Sequence, residues 1–505
     1  MANLGPRFTG TAPHRCLLNS IRQAFAPLVE AGVLEEERVP ARDSTFHKTF
    51  TNWEATSQSL ILVKRPPART PTPIPTAGYM PYTGFTGPSG ITAPLVFEEP
   101  GRLKKILPIL NLLFPFKFKP EHRGKIVAVW IPSVQLPKWF LKYLSRNSRS
   151  DFRDWTPYRR TITLEFLTPC PNKAADAGVV GIVAVLDMSP QHAEKQYLPF
   201  SRPVPLPVGR GVPGIHVDCA QRAAIKAHAD DRGEATIVLQ GTVDTEASSE
   251  HLLYTLPGAH VDEKTEDEII LVQTHTDGPS AIEENGVMAL IALAHRFATL
   301  PRSARLRSLK FLFATGHFVK EIEGAKDVIQ NNDPPWLVGV KASVAIEHLG
   351  TKEWVDDRED GYHVRASADA SRQRDEPALL FVTGGRHPLE KLAHECLPHA
   401  RIIVLPSRCR MMLLKRKFFG EGQYVACTGV PTVGYLPNPD YMFSYADPGG
   451  PTRRGHFEKL DPARMETELN AFWKLTCALV TDELSNWRSV TPDIRYCRDP
   501  ETSCD

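Results

Sequence analysis

Four short stretches place metal-binding or acid/base side chains beside apolar runs. His275-Thr276-Asp277-Gly278 follows the run Ile269–Gln273, and Gly316-His317-Phe318 follows Phe311–Phe313. Glu347-His348-Leu349-Gly350 follows Ser343–Ile346, and Glu283-Glu284 stands just before a helical pattern that opens at Asn285. Imidazole and carboxylate are the usual zinc ligands outside thiolate sites. His275 and Asp277 lie two apart, so on an extended stub they could serve as ligand and orienting acid. One histidine after one strand is an ordinary hydrogen-bonded residue. Three such strand ends and an acidic helix start make a shared polar site.

The elements that must position these groups alternate. Glu268–Gln273, Leu309–Phe313 and Val340–Ile346 have the β-branched, apolar character of buried strands, and Asn285–Leu300 has helical periodicity. Strands are also expected at Leu379–Val382, Arg401–Leu405 and Thr432–Tyr435, with a final helix over Asp461–Trp487. Alternating strand and helix predicts an α/β fold with a mixed, mostly parallel sheet between helices. In such a sheet, functional groups gather just past the C-terminal strand ends. Upstream, residues 11–33 read as one helix, capped by Thr11, with Pro13 in its first turn and Gly32 at its end. A short strand at Ser59–Val63 precedes a proline-rich linker from Pro66 to Pro75. A strand-rich middle follows, with Lys125–Ile131, Thr161–Leu167, Gly178–Leu186, Gly214–Val217 and Ala235–Gln240 as strands.

Charge and cysteine content narrow the function classes. The 505 residues carry 60 Lys+Arg against 58 Asp+Glu, so no basic excess points to nucleic acid. Residues 1–22 lack a charged start followed by an apolar block, so no secretory signal is expected. The most apolar stretch, Ile106–Phe118, is too short to span a bilayer and is cut by Pro108 and Pro115. It reads as a core element, as does Met411–Phe419. Nine scattered cysteines without a C-x-x-C pair fit a reducing compartment. A cytoplasmic protein without a transmembrane segment is the expectation.

The run Ile269–Gly278, followed by Glu284-Asn285-Gly286-Val287, resembles the zinc exopeptidases of clan MH, the aminopeptidase and glutaminyl cyclase superfamily. Other elements extend the resemblance in the same order. Gly5-Pro6-Arg7-Phe8-Thr9-Gly10-Thr11 is similar to the G-x-R-x-T-G-S that opens these enzymes. Gly178–Val183 and Gly211–Ile215 look like parts of a protease-associated domain. Gly429-Val430-Pro431-Thr432-Val433 resembles the G-I-P-x-V strand near the family's end. The resemblance implies a zinc-exopeptidase-like core interrupted by a β-rich protease-associated insertion. Residues 1–65 and 256–490 would form the core, 76–255 the insertion and 491–505 a tail.

The resemblance also implies a site. His275 would be a zinc ligand, Glu284 would stand in for the metal-bridging acid with Glu283 as its rival, and Glu347 would be a further ligand. Asp277 would orient His275. The sequence departs from the family where a Glu-Glu pair, base and ligand, is expected, for His317-Phe318 stands there. It departs again where the last ligand, a histidine, is expected. Tyr441-Met442-Phe443-Ser444 stands there, and His456 lies downstream. The remaining ligands suffice for one zinc ion and are thin for two. His317 is then the proton-handling group or an extra ligand. The expected activity is metal-dependent hydrolysis of an amide or related acyl bond in a peptide or small molecule. The alternatives are a non-hydrolytic acid/base or cyclase-type enzyme of small-molecule biosynthesis, and a binding protein without metal or catalysis. Oligomeric state is left open.

Overall fold

The computed structural model describes residues 6–43, 47–64, 71–101, 116–133, 136–137, 157–158, 167–194, 196–197, 211–259, 268–319, 321–331, 334–352, 354–357, 361–364, 379–383, 388–398, 400–405, 420–437 and 459–481. The chain opens with a helix, Ala12–Glu30. The Thr11 hydroxyl accepts the His14 N–H at its start, and Gly32 follows its end at φ +68°. Strand β1 (Glu35–Pro40) comes next. Then β2 (Phe50–Val63), β3 (Pro71–Ile74), β4 (Gly78–Tyr79), β5 (Ile91–Glu98) and β6 (Ile126–Ile131) follow. A small pair, β7 (Leu136–Pro137) and β8 (Pro157–Tyr158), precedes β9 (Gly181–Leu186), β10 (Gly214–Val217) and β11 (Glu234–Ala247). The remainder is β12 (Glu250–Leu256), β13 (Ile269–His275), β14 (Ser308–Ala314), β15 (Val340–Ile346) and the hairpin β16 (Trp354–Asp357) and β17 (Gly361–Val364). The last strands are β18 (Leu379–Thr383), β19 (Arg401–Leu405) and β20 (Thr432–Leu436).

Two eight-stranded sheets hold most of these strands. The first has the order β1-β12-β14-β13-β15-β20-β18-β19. Its centre, β14-β13-β15-β20, is parallel, and antiparallel pairs flank it. Alternate residues of β13 feed two cores. Ile270 and Val272 pack with the helices Ala12–Glu30, Gly286–Ala298 and Pro462–Thr481. Ile269 and Leu271 face the opposite side, with Val328, Ile329 and Val425. Coverage on both faces explains why the strand is apolar throughout rather than alternating.

The second sheet has the order β3-β2-β11-β5-β6-β9-β10-β4 and lies, in sequence, between β1 and β12. Its two faces bury separate clusters around Ile182 and around Val183. Strand membership shifts the expected boundaries. Residues 50–63, expected in the core segment 1–65, form β2 and pair with β11 in the second sheet. Residues 250–255, expected within 76–255, belong to β12 of the first sheet. Part of the expected linker is also strand, for Pro71–Ile74 pairs with Leu60–Val63. Prolines fit there because β3 is an edge strand, where missing N–H groups break no ladder. The expected strand Thr161–Leu167 lies outside the described residues except Leu167, which is buried. Met411–Phe419, Tyr441–Ser444 and His456 also lie outside them. Among the described residues, no helix is long and apolar enough to cross a membrane.

Candidate functional site

The parallel strands β13, β14 and β15 end together, at His275, Ala314 and Ile346. The helix Gly286–Ala298 begins against the same ends. A β-carbon at Gly286 would stand 2.1 Å from the Ile346 carbonyl and 2.2 Å from the Thr274 hydroxyl, so only glycine allows this approach. Asn285 fixes the helix start. Its amide donates to the Leu349 carbonyl at 2.7 Å and its oxygen accepts the Leu349 N–H at 2.7 Å. The turn carrying Glu283 and Glu284 is thereby tied to the loop carrying Glu347 and His348.

His275 is buried, and its Nδ1 donates to the Asp277 carbonyl at 2.8 Å. Its Nε2 has no hydrogen-bond partner and lies 3.9 Å from a Glu347 oxygen. Burial, reinforced by the nearby His317 and His348, holds its pKa well below the usual imidazole value. The ring is therefore neutral, the form that binds metal. Glu347 accepts the Glu421 N–H at 2.7 Å through its other oxygen. Burial pushes its carboxyl up to about 7 against the pull of His348 and His317. His348 donates from Nδ1 to the Pro437 carbonyl at 2.9 Å, and its Nε2 lies 3.2 Å from a Glu283 oxygen. Burial lowers its pKa, but Glu283 and then Glu347 outweigh this and set it at about 9.

His317 stacks on His275, with ring centroids 4.4 Å apart, and its Nδ1 contacts a Glu421 oxygen. Its side chain is 26% exposed, whereas those of His275, Glu283, Glu347 and His348 are all at or below 3%. Solvent thus reaches the cluster at His317. Burial alone would lower this ring's pKa, but Glu421, with Glu347 and Asp277 beyond it, raises it to about 10.

The structure brings some of the expected site residues together. His275, Glu283, His317 and Glu347 come together, and ligand atoms of His275, Glu283 and His317 lie within 4.8 Å of one another. Glu284 faces elsewhere. Its carboxylate meets the guanidinium of Arg7, both fully buried, and burial pushes it up to about 7 despite that partner. The Asp277 carboxylate does not orient His275; the Asp277 backbone carbonyl does. The carboxylate instead accepts the N–H groups of Gly316, His317 and Phe318 at 3.1, 2.9 and 3.0 Å, shaping the loop that presents His317.

His348 and Glu421 are additions that the sequence reasoning did not single out. His348 stood in a quoted motif, but neighbours on an extended stub point to opposite sides. Its φ of +56° breaks that alternation. Glu421 carries no spacing signal at all. Phe318 is 5% exposed and packs among Phe8, Tyr197 and His317 at 6.0, 5.3 and 5.0 Å. Tyr82, just past β4 in the second sheet, donates to the Phe318 carbonyl at 2.7 Å. The second-sheet segment thus touches the loop that carries His317 and Phe318.

Solved structures share this architecture. The chain is similar to a peptidase M28 precursor from Shewanella amazonensis SB2B, at 12% identity and a TM-score of 0.59, over 95% of this chain and 91% of that one. An aminopeptidase from Aneurinibacillus sp. strain AM-1 gives 13% identity and 0.56, over 97% and 93%. A zinc aminopeptidase from Bacillus subtilis gives 12% and 0.52, over 97% and 94%. The fold is aminopeptidase-like. At such identities the likeness is one of fold. No family model and no curated protein matches the sequence.

Proposed function

We propose that the chain is a metal-dependent hydrolase of zinc-peptidase type, acting on an amide or related acyl bond of a peptide or small molecule. One observation carries this reading. The neutral His275 ring is anchored through Nδ1, and its buried Nε2 faces Glu347 at 3.9 Å without a hydrogen-bond partner. A buried bare nitrogen is costly unless something fills its lone pair. An imidazole fixed by a carbonyl on its far nitrogen is how metal-binding histidines are built.

His275 and Glu347 would hold a single zinc ion, with a carboxylate from the Glu283-Glu284 pair. Such an ion supplies a Lewis acid for a carbonyl and lowers the pKa of water. His317 is the group that solvent reaches, and Glu421 fixes its ring. Held protonated at neutral pH by Glu421, it would give its proton to the leaving amine as the C–N bond breaks, and the proton lost by the attacking water would recharge it through the solvent that reaches it. Tyr82 and Phe318 limit the space beside it, which favours a small or extended substrate end. The second sheet is read as a protease-associated insertion, supported by its place between β1 and β12 and its contact with the loop that carries His317 and Phe318. The scattered cysteines, without a C-x-x-C pair, support a cytoplasmic setting.

The test is metal analysis of the purified protein beside turnover of aminoacyl-anilides, dipeptides and N-acyl amino acids. About one zinc per chain is expected, with turnover lost on chelation and in His275→Ala. Full turnover in a metal-free His275→Ala protein would overturn the reading. Metal-independent turnover requiring His317 would favour the acid/base alternative.

A further inference from the structure

The two central imidazoles are built alike. Each donates from Nδ1 to a carbonyl, His275 to Asp277 at 2.8 Å and His348 to Pro437 at 2.9 Å. A carbonyl oxygen only accepts, so both Nδ1 atoms carry hydrogen, and each ring in its neutral form has its lone pair on Nε2. Both Nε2 atoms are buried without a hydrogen-bond partner, and so is the Glu283 oxygen nearest His348. One Glu347 oxygen lies 3.9 Å from each Nε2. Ligand atoms of His275, Glu347 and His348 all fall within 4.8 Å of one another.

The backbone gives a second, independent sign. His348 sits at φ +56°, a left-handed conformation that side chains with a β-carbon avoid. Such strain persists only where the surroundings impose it, and it gathers at binding sites. Here its effect is specific. The turn of the chain brings the consecutive side chains of Glu347 and His348 to one point, where an extended strand would part them.

We infer that His275, Glu347, His348 and Glu283 form the ion-binding set, and that Glu284 lies outside it. This rests on the hydrolase reading for the presence of an ion, and it names the ligands that reading left open. Two imidazole nitrogens and two carboxylates suit zinc, and the hydrolase reading would then need zinc's fifth position for water. Atoms each about 2.0–2.1 Å from one ion at tetrahedral angles lie roughly 3.3 Å apart. The observed 3.2 and 3.9 Å bracket that separation. Glu284 is excluded because its carboxylate meets Arg7. His317 is set apart because it is the partly exposed member of the cluster, at 26%, and it stays free to handle protons.

The competing account is a metal-free ion pair between His348 and Glu283. Titration of the full-length, chelator-stripped protein with Zn(II) and Co(II) separates the two. Zinc affinity is read by competition with a chromophoric chelator, and coordination by the visible bands of Co(II). The variants are His348→Asn, Glu283→Gln, Glu284→Gln and His317→Asn. Asparagine at 348 tolerates the left-handed backbone, so this variant keeps its fold. One equivalent should bind the unaltered chain. His348→Asn should weaken zinc roughly a hundredfold or more and change the Co(II) spectrum, and Glu283→Gln should weaken it about tenfold or more. Glu284→Gln and His317→Asn should stay within a few fold. Unchanged zinc affinity in His348→Asn, with loss in His275→Ala, would overturn this ligand set and leave the hydrolase reading standing. No metal binding by the unaltered chain would overturn both.

Discussion

Two buried histidine–carboxylate pairs in this molecule differ in how completely they are satisfied. His251 and Asp327, where the chain crosses between the sheets, are both fully buried at 2.9 Å. His251 accepts the Thr315 N–H on its other nitrogen at 3.0 Å, and Asp327 accepts the Arg42 N–H at 2.8 Å. His348 and Glu283, at the strand ends, are as buried and nearly as close, at 3.2 Å. Yet the facing atoms of that pair lack hydrogen-bond geometry, and a further carboxylate, that of Glu347, lies 3.9 Å from the His348 Nε2. Burial of a charged pair is therefore a poor guide to function here. Incompleteness is the better one, because a folding role favours saturation and a binding role leaves atoms bare.

The contrast is most easily broken at Asp327. Asp327→Ala would leave His251 and the Arg42 N–H buried without an acceptor, at a loss of about 3–5 kcal/mol. Urea denaturation of the metal-free protein measures this. A loss below about 1 kcal/mol would mean that saturation does not mark a structural pair in this fold.

A third pair, His192 with Asp356 at 3.0 Å, joins the second sheet to the β16–β17 hairpin, and Asp356 also accepts the Ser189 N–H at 3.0 Å. Burial would raise the Asp356 carboxyl, but the hydrogen bonds from His192 and Ser189 outweigh it and hold the pKa well below the usual value. A depressed carboxyl contributes its full stability above the unfolded value near 3.9 and loses it as pH falls through the folded one. Acid should therefore weaken this junction progressively below about pH 4. Asp356→Asn should lower stability by about 1.5–3 kcal/mol at neutral pH and flatten the acid slope. An unchanged slope in melts between about pH 2 and 5 would remove this pair from those that hold the fold.

The saturated and the bare regions were not equally legible in the sequence. Buried parallel strands such as β13 announce themselves through unbroken apolar residues, and the strand-end position of His275 follows from them. Edges are harder to see. Strand β1 reads Glu-Glu-Glu-Arg-Val-Pro, a charged run that protects a sheet edge and looks like a loop. Prolines likewise disguised β3. Within the site, residues set by strand order were accessible and residues set by backbone torsion were not. Choosing Glu283 over Glu284 depends on where Arg7 ends up, and Arg7 lies far away in sequence. Glu421 reaches His317 from a turn at whose start Gly420 adopts φ +81°, hard against Glu347. Nothing in local pattern foretells that approach.

The finest test of the contrast lies at Glu347, where function and folding should pull in opposite directions. Its carboxylate is buried, near Glu421, with one oxygen on the Glu421 N–H and the other 3.9 Å from two imidazoles. Burial has raised its pKa to about 7, so keeping it ionised at neutral pH costs the metal-free fold stability. Glutamine keeps the shape and the acceptor for Glu421 but removes the charge. Glu347→Gln should therefore raise the stability of the metal-free protein by about 1 kcal/mol while abolishing tight zinc binding. Thermal melts with and without zinc read both effects together. The unaltered chain should gain about 2.7 kcal/mol from zinc at a hundred times its Kd, and the variant should gain almost nothing. If Glu347→Gln instead destabilised the metal-free protein by more than about 1 kcal/mol, Glu347 would belong with Asp327 among the residues that hold the fold.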